Sequence, residues 1–444
     1  MRASEAGGRT SADDGSGLVG AMLFLALLLF FLITTTPFAD LNGAAHTDPQ
    51  AGNSNAVNQA VALLVSAGLC LYGARHPLSR SIVLQPRAIL VPLFAWFFAV
   101  SAISAHPDVA LRKVVLAILI CVDASIFLLL PRSDRHFAKL LLIGTALMLA
   151  VGYFGVIALP GRAIHQATEL IEPEHAGLWH GQFPHKNVAA SVMVVSAFVG
   201  LFAFSSGFRL GGLAVVALSA VFLLHTGGKS AIAYLPATLV VAWAFERWRW
   251  ARVPIAIGGP LGFNALAIGC ALSERVSAAV ASLGIDPTFT ARTAIWRLAL
   301  EAIAQRPITG YGFQGFWQTD ELFYGGGTLE TWAVQAFNGH NSILDTVLTT
   351  GLPSLVPVIA WLFVLPLRDV ARAEASGNNP ALTRLFTRIW LYGLFSACLE
   401  TVFFQSGEPL WFALLFSVFG LRLQAGARVV REETREVRPV TARA

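Results

Sequence analysis

Residues Gly181 to Gly200 read GQFPHKNVAASVMVVSAFVG. From Val188 onward this stretch carries no charge, yet it opens on His185, Lys186 and Asn187. A helix needs about 20 residues to cross the hydrocarbon of a bilayer, and the apolar run from 187 to 206 has that length. The pattern recurs along the chain. Twelve candidate spans follow from it: 18–38, 57–74, 88–105, 114–130, 137–159, 187–206, 210–225, 230–245, 252–272, 347–367, 384–403 and 409–424. The seventh and eighth are short and flank HTGGKS, and the ninth contains GGPLG, where a kink is expected.

Composition agrees. Of 444 residues, 55% are hydrophobic and only 13% charged, with a mean hydropathy of +0.64; an average soluble domain is about 25% charged. The expected fold class is an all-α polytopic membrane protein of about 12 transmembrane helices, with a large extracytoplasmic loop between spans 9 and 10. The first run is too long and too poor in cleavage signal for a removable leader, and further spans follow it. Cys70, Cys121, Cys270 and Cys398 all sit inside apolar runs and read as small hydrophobes, not as a disulfide set or a metal cluster.

Cytoplasmic loops collect Lys and Arg. With the N-terminus inside, twenty-two of the 31 basic residues fall on inner segments and nine on outer ones. Residues 1–17 are then a cytoplasmic N-terminus, 18–272 hold spans 1–9, 273–346 form an extracytoplasmic catalytic loop, 347–424 hold spans 10–12, and 425–444 form a cytoplasmic tail. The tail, rich in arginine, reads as a solvated end without a function of its own. A second outer loop covers about 160–186.

Four polar motifs share the outer face by the parity of the spans they follow: WHGQFPHKN (179–187), HTGGKS (225–230), ARTAIWRLALEAIAQRPITGYGFQGFW (291–317) and FNGHNSILDTVLTTGL (337–352). Each has a bland reading. Lys186 suits a snorkelling interface lysine, and Asn187 or the His340-Asn341 pair a helix cap. Arg292 and Trp296, four apart, suit a surface cation–π pair. Gly310, Gly312 and Gly315 suit a turn after Pro307. Gathered on one side of the membrane, the motifs point to a site for an anionic head group.

GYGFQG matches a dinucleotide fingerprint but follows a helical segment with no βαβ pattern around it, and GGKS lacks the first glycine of a phosphate loop, which would fall on Leu223. Both also lie outside, where nucleotides are not supplied. Glu172, Glu174, His175, His180 and His185 crowd within fourteen positions, but no two of these histidines stand four apart on a helix and no outer cysteine assists; neither a metal nor another cofactor is expected.

Breaking the bond between an anomeric carbon and a lipid-linked diphosphate releases negative charge. Fixed cations such as Lys186, Lys229 and Arg292 would stabilise that charge more in the transition state than in the ground state. Arginine offers a fork matched to phosphate oxygens. His340 is a candidate to take the acceptor hydroxyl's proton. Such a transfer needs no nucleotide, because the energy resides in the donor.

The order of HGQFPHKN, a basic Gly/Ser turn, the Arg-Trp segment leading to PITGYGFQGFW, and GHNSILDTVLTTGL resembles the O-antigen ligase and polymerase superfamily over roughly residues 177–352; the HKN form is most similar to bacterial exopolysaccharide polymerases. The resemblance implies inverting, metal-independent transfer of a glycan from undecaprenyl diphosphate at the periplasmic face of the bacterial inner membrane. It implies Arg292 and His340 as catalytic residues, with His185, Lys186, Asn187, Lys229, Asn341 and Trp296 binding substrate. Family ligases carry an arginine after serine where this chain has Gly228-Lys229, which leans away from a ligase. The implied partners are the lipid-linked glycan, membrane lipid, and a chain-length regulator and flippase of the same pathway; nucleic acid is not among them. Two rivals stand beside the polymerase. One is a ligase that moves the glycan to a lipid A core or another acceptor. The other is a non-enzymatic flippase or transporter, for which only Asp123 and Glu400 offer ionisable groups at mid-span.

Overall fold

A computed structural model describes residues 5–34, 36–41, 56–76, 78, 82–169, 172–319, 322 and 333–426. Arg2, Arg80 and the tail from 427 lie outside them, as does part of the large outer loop. Among the described residues the chain is helical, and its one extended pairing is an isolated antiparallel bridge between Ile164 and Trp179.

Fifteen helices carry the architecture among those residues: α1 (Glu5–Ile33), α2 (Ala56–Arg75), α3 (Arg87–Ala102), α4 (Pro107–Phe127), α5 (Asp134–Ala158), α6 (Lys186–Ser205), α7 (Arg209–His225), α8 (Lys229–Arg247), α9 (Arg249–Leu272), α10 (Glu274–Ser282), α11 (Arg292–Gln305), α12 (Ser342–Thr350), α13 (Leu352–Ala375), α14 (Pro380–Ser396) and α15 (Pro409–Gly426). Six helical runs are long and apolar enough to cross a membrane: Val57–Arg75 in α2, then α5, α6, α9, α13 and α15. Gly17–Ile33, α3 and α7 are shorter apolar helices. The chain is a multi-pass membrane protein; the count of twelve spans and the placement of the large loop belong to the proposal below.

The helices pack around α15, whose side chains are almost all buried. Phe412 of α15 stacks on Phe31 of α1 at 4.3 Å, and Phe127 of α4 stacks on Phe24 of α1 at 4.0 Å. Helices α6 and α7 approach closely because Gly200 faces Gly212: a Cβ on Gly212 would lie 2.5 Å from the Phe204 nitrogen. Small residues allow such contacts where lipid removes the hydrophobic drive for helix association.

Several expected spans have different limits, and two of the differences shape the site. The run 347–367 is broken at Gly351, where α12 ends and α13 begins. Gly351 has φ +76°, and a Cβ there would stand 1.8 Å from the Ile308 carbonyl oxygen, so only glycine fits. The run 384–403 is helical only to Ser396. Beyond it the chain is drawn onto the start of α12: Ser342 N–H donates to the Ala397 carbonyl (2.9 Å), Asn341 Nδ2 donates to Cys398 O (3.1 Å), and Ser342 Oγ donates to Glu400 O (3.0 Å). Glu400 is therefore a loop residue after α14, not a mid-span charge. Asp123, the other mid-span candidate, is buried on α4 and accepts a hydrogen bond from Ser66 Oγ at 2.5 Å.

Candidate active site

The two expected catalytic residues meet at Glu400. Arg292 Nη2 lies 2.7 Å from its Oε1, and His340 Nδ1 lies 3.0 Å from its Oε2. All three side chains are partly shielded from solvent. Arg292 is the first residue of α11, and His340 stands two residues before α12. Both are delivered by left-handed backbone, φ +50° to +66° through Phe289, Thr290 and Ala291, and φ +45° at His340. Such conformations persist where neighbours over-determine them, and they cluster at functional sites. Here Asp286 accepts from the N–H groups of Thr288 and Thr290, each at 2.9 Å, and Asn338 Oδ1 accepts from His340 N–H at 2.9 Å.

Trp296 and Asn341 form the frame of this site. Trp296 is fully buried, and its indole N–H donates to Gly339 O at 2.9 Å, bracing the loop that carries His340. Asn341 is also fully buried. Its Oδ1 caps α12 through Ile343 and Leu344, both at 3.1 Å, and its amide nitrogen donates to Asn264 Oδ1 at 2.6 Å. With these bonds made, Asn341 positions its neighbour His340 instead of offering its amide outward. Asp345 below receives Trp317 Nε1 (2.8 Å), the Gly339 N–H (2.9 Å) and the Thr401 hydroxyl, while burial pushes its carboxyl above the usual range. A cavity of about 580 Å³ adjoins it, lined in part by Lys113, Trp317, Phe337 and Asn338.

The other two motifs also meet. Trp179 stacks on His225 with ring centroids 4.1 Å apart, and Trp179 N–H donates to His225 O at 3.0 Å. This seats the Gly227-Gly228-Lys229 turn beside the loop that leads into α6. His185 caps α6, its Nδ1 accepting from Asn187 N–H at 3.1 Å. Lys186 is half-buried and Lys229 exposed, each opening its helix. Burial lowers the Lys186 ammonium from its ordinary range, and the Glu172 carboxylate opposes that shift. Glu408 stands just before α15; burial, reinforced by the Glu400 charge, pushes its carboxyl up to about 7. Both Glu400 and Glu408 lie outside the four polar motifs of the sequence.

The segment PITGYGFQG is a turn against α12, not a phosphate loop. Tyr311 N–H donates to Leu348 O at 3.1 Å and Leu352 N–H to Pro307 O at 2.9 Å. The loop 160–185 gathers histidines that its linear spacing kept apart. His165 Nδ1 and Glu169 Oε2 are 2.7 Å apart and buried, and His180 Nδ1 contacts Phe183 O at 2.7 Å. Burial pulls His180 down to about 4, and the hydrogen bond from His185 pulls Glu172 down to about 2.

The geometry thus joins Arg292, Glu400 and His340 into one ion-paired group in a helical membrane protein. Residues 213–359 match the family described as O-antigen ligase, a segment that includes Lys229, Arg292, Trp296, His340 and Asn341 but not the HKN corner or Glu400. The chain is also similar to the exopolysaccharide production protein ExoQ of Rhizobium meliloti (strain 1021), 25% identical over 224 residues, 46% of this chain and 50% of that protein. It thus spans about half the length of this curated relative.

Proposed function

We propose that this protein polymerises undecaprenyl-diphosphate-linked oligosaccharide repeat units into an exopolysaccharide or O-antigen at the periplasmic face of the inner membrane. The observation that carries the reading is the bridge from Arg292 through Glu400 to His340; Lys186 and Lys229, each opening a helix, supply the further cations of the proposed site. Similarity to an exopolysaccharide production protein supports a role in polysaccharide synthesis. The match to the O-antigen ligase family favours, as second reading, transfer of the glycan to a different acceptor such as a lipid A core.

In the proposed reaction Glu400 accepts from His340 Nδ1–H, which leaves Nε2 as the basic nitrogen. The acceptor hydroxyl attacks the anomeric carbon with inversion and gives its proton to His340 Nε2, while the bond to the phosphate oxygen breaks. The lipid diphosphate leaves with its new charge stabilised by Lys186, Lys229 and Arg292, of which Arg292 also keeps Glu400 ionised. His185 and Asn187 close one side of the pocket, and the lipid lies along α6, whose N-terminus favours an anion. No metal takes part in the bond transfer. Both termini are cytoplasmic, about twelve helices cross the membrane, and residues 273–346 are extracytoplasmic; a chain-length regulator and a flippase act in the same pathway.

The test is the purified protein in lipid, supplied with one lipid-diphosphate repeat unit. A ladder of longer glycans with released undecaprenyl diphosphate is expected. Product formed only on an added foreign acceptor identifies a ligase, and translocation of the unchanged unit identifies a transporter.

A further inference from the structure

The histidine knot of the 160–185 loop is unused by the proposed transfer, apart from His185. Four imidazoles pack together: His165 to His180 at 4.6 Å, to His185 at 5.5 Å and to His175 at 5.7 Å, with His175 to His185 at 5.4 Å between ring centroids. Within this knot Glu172 Oε2 stands 2.9 Å from His185 Nε2 and 3.2 Å from His175 Nδ1. Three such ligand atoms lie within 4.8 Å of one another. Ligands about 2.0–2.1 Å from a tetrahedral zinc ion are separated from each other by roughly 3.3 Å, so both short separations approximate edges of that tetrahedron. His175 Nδ1 is moreover buried, and its contact with that Glu172 oxygen is an ion pair without hydrogen-bond alignment, so the nitrogen lacks a full partner.

We propose that Glu172, His175 and His185 bind a divalent transition-metal ion of the zinc class, with water or a neighbouring group completing a four-coordinate site. Imidazole and carboxylate together suit zinc. The side chains of Glu172, His175 and His185 are 45%, 18% and 29% exposed, so an ion has a way in. The carboxylates of Glu169, Glu172 and Glu174 outweigh the opposing charge of Lys186. His165, fixed by Glu169, packs behind both histidine ligands. In the metal-free form His185 Nδ1 accepts from Asn187 N–H and its Nε2–H donates to Glu172; on binding, the ring proton moves to Nδ1, which ends the cap bond, and the freed Nε2 lone pair and the Glu172 carboxylate coordinate the ion. Because His185 begins α6, the ion ties the outer loop to the corner that carries Lys186. It is a structural staple, separate from the bond transfer at Glu400.

The full chain, purified in detergent with a histidine-free tag, is stripped with EDTA, re-equilibrated with Zn²⁺ and assayed for bound metal by atomic emission. About one tightly held zinc per chain is expected, as for a structural site. His175→Ala and Glu172→Gln should bind at least tenfold more weakly, whereas His76→Ala, outside the knot, should bind as the wild type does. Wild-type zinc no higher than in His175→Ala, or equal loss in His76→Ala, overturns the proposal. A second measurement needs no variant: Co²⁺ added to the stripped wild-type protein should give the intense visible absorption of four-coordinate cobalt, and the weak spectrum of hydrated cobalt overturns the site.

Discussion

Nδ1 of His340 lies 3.0 Å from Oε2 of Glu400, sixty residues further along the chain. In the proposed transfer this contact sets which imidazole nitrogen carries the proton. A carboxylate at Nδ1 holds the ring in the tautomer whose Nε2 is basic, and it stabilises the imidazolium formed once a proton arrives. Arg292 grips the other oxygen of the same carboxylate at 2.7 Å, so the proposed mechanism treats the three groups as a unit.

Glu400→Gln keeps the shape and removes the charge. Transfer should fall by about a hundredfold to ten-thousandfold, the range lost when a proton-handling group is misdirected. Membrane abundance should stay near normal. Residues that act as a unit are non-additive, so Glu400→Gln/His340→Ala should be hardly slower than His340→Ala. Multiplied losses in the double variant would mean that the two side chains act independently.

Arg292→Ala and His340→Ala should stop polymer formation and let single lipid-linked repeat units accumulate, with the protein still in the membrane. Loss of one charge-stabilising contact costs on the order of 3–4 kcal/mol, about a hundredfold to a thousandfold in rate. Arg292→Lys should recover part of this, because an ammonium lacks the fork that guanidinium offers. Polymer length distributions in cells, normalised to membrane abundance, make the comparison; full-length polymer from both alanine variants would return these residues to a structural role.

The distribution of basic residues predicts topology. Reporter fusions after Arg306 should report the extracytoplasmic side, and fusions after Arg372 the cytoplasm. The reverse result would put every motif on the face opposite the donor diphosphate and end the proposed mechanism.

Glu408 predicts a pH dependence. Its carboxyl is raised in the folded protein to about 7 from an ordinary 4.5. Between those values the folded protein holds a proton that the unfolded chain has released, so the stability Glu408 contributes is fully present below pH 4.5 and lost as pH rises to 7. The full effect is at most about 3 kcal/mol. Glu408→Gln should remove this decline, so that its thermal midpoint in detergent gains on the wild type across that window. Parallel curves would show that Glu408 ionises normally.

The helical, membrane-embedded character was legible because lipid demands long uncharged runs, which the sequence displays openly. Gly351 and Ser396 show where hydropathy stops being informative. An apolar run continues past each, but the helix ends because an approaching Ile308 carbonyl, or hydrogen bonds from Asn341 and Ser342, end it. Hydropathy alone therefore places Glu400 inside a span, whereas it is the partner of both Arg292 and His340. Arg292 and His340 carried a motif signal; Glu400 had none within 213–359. Trp296 and Asn341 carried the same kind of signal, yet they are buried supports. Motif and spacing mark a residue as part of a site without telling whether it faces the ligand or holds up a residue that does.

Because Glu400 sits past the end of the matched segment, the working unit is larger than the sequence signature suggests. A chimera that exchanges only residues 213–359 between relatives would transplant the guanidinium and the imidazole but keep the recipient's loop after α14. The grafted Asn341 and Ser342 would also meet an unmatched Ala397–Phe403 segment, where their hydrogen bonds now lock the two together. An exchangeable cassette should therefore run through Phe403, so that Arg292, His340 and Glu400 travel together with the segment that Asn341 and Ser342 hold.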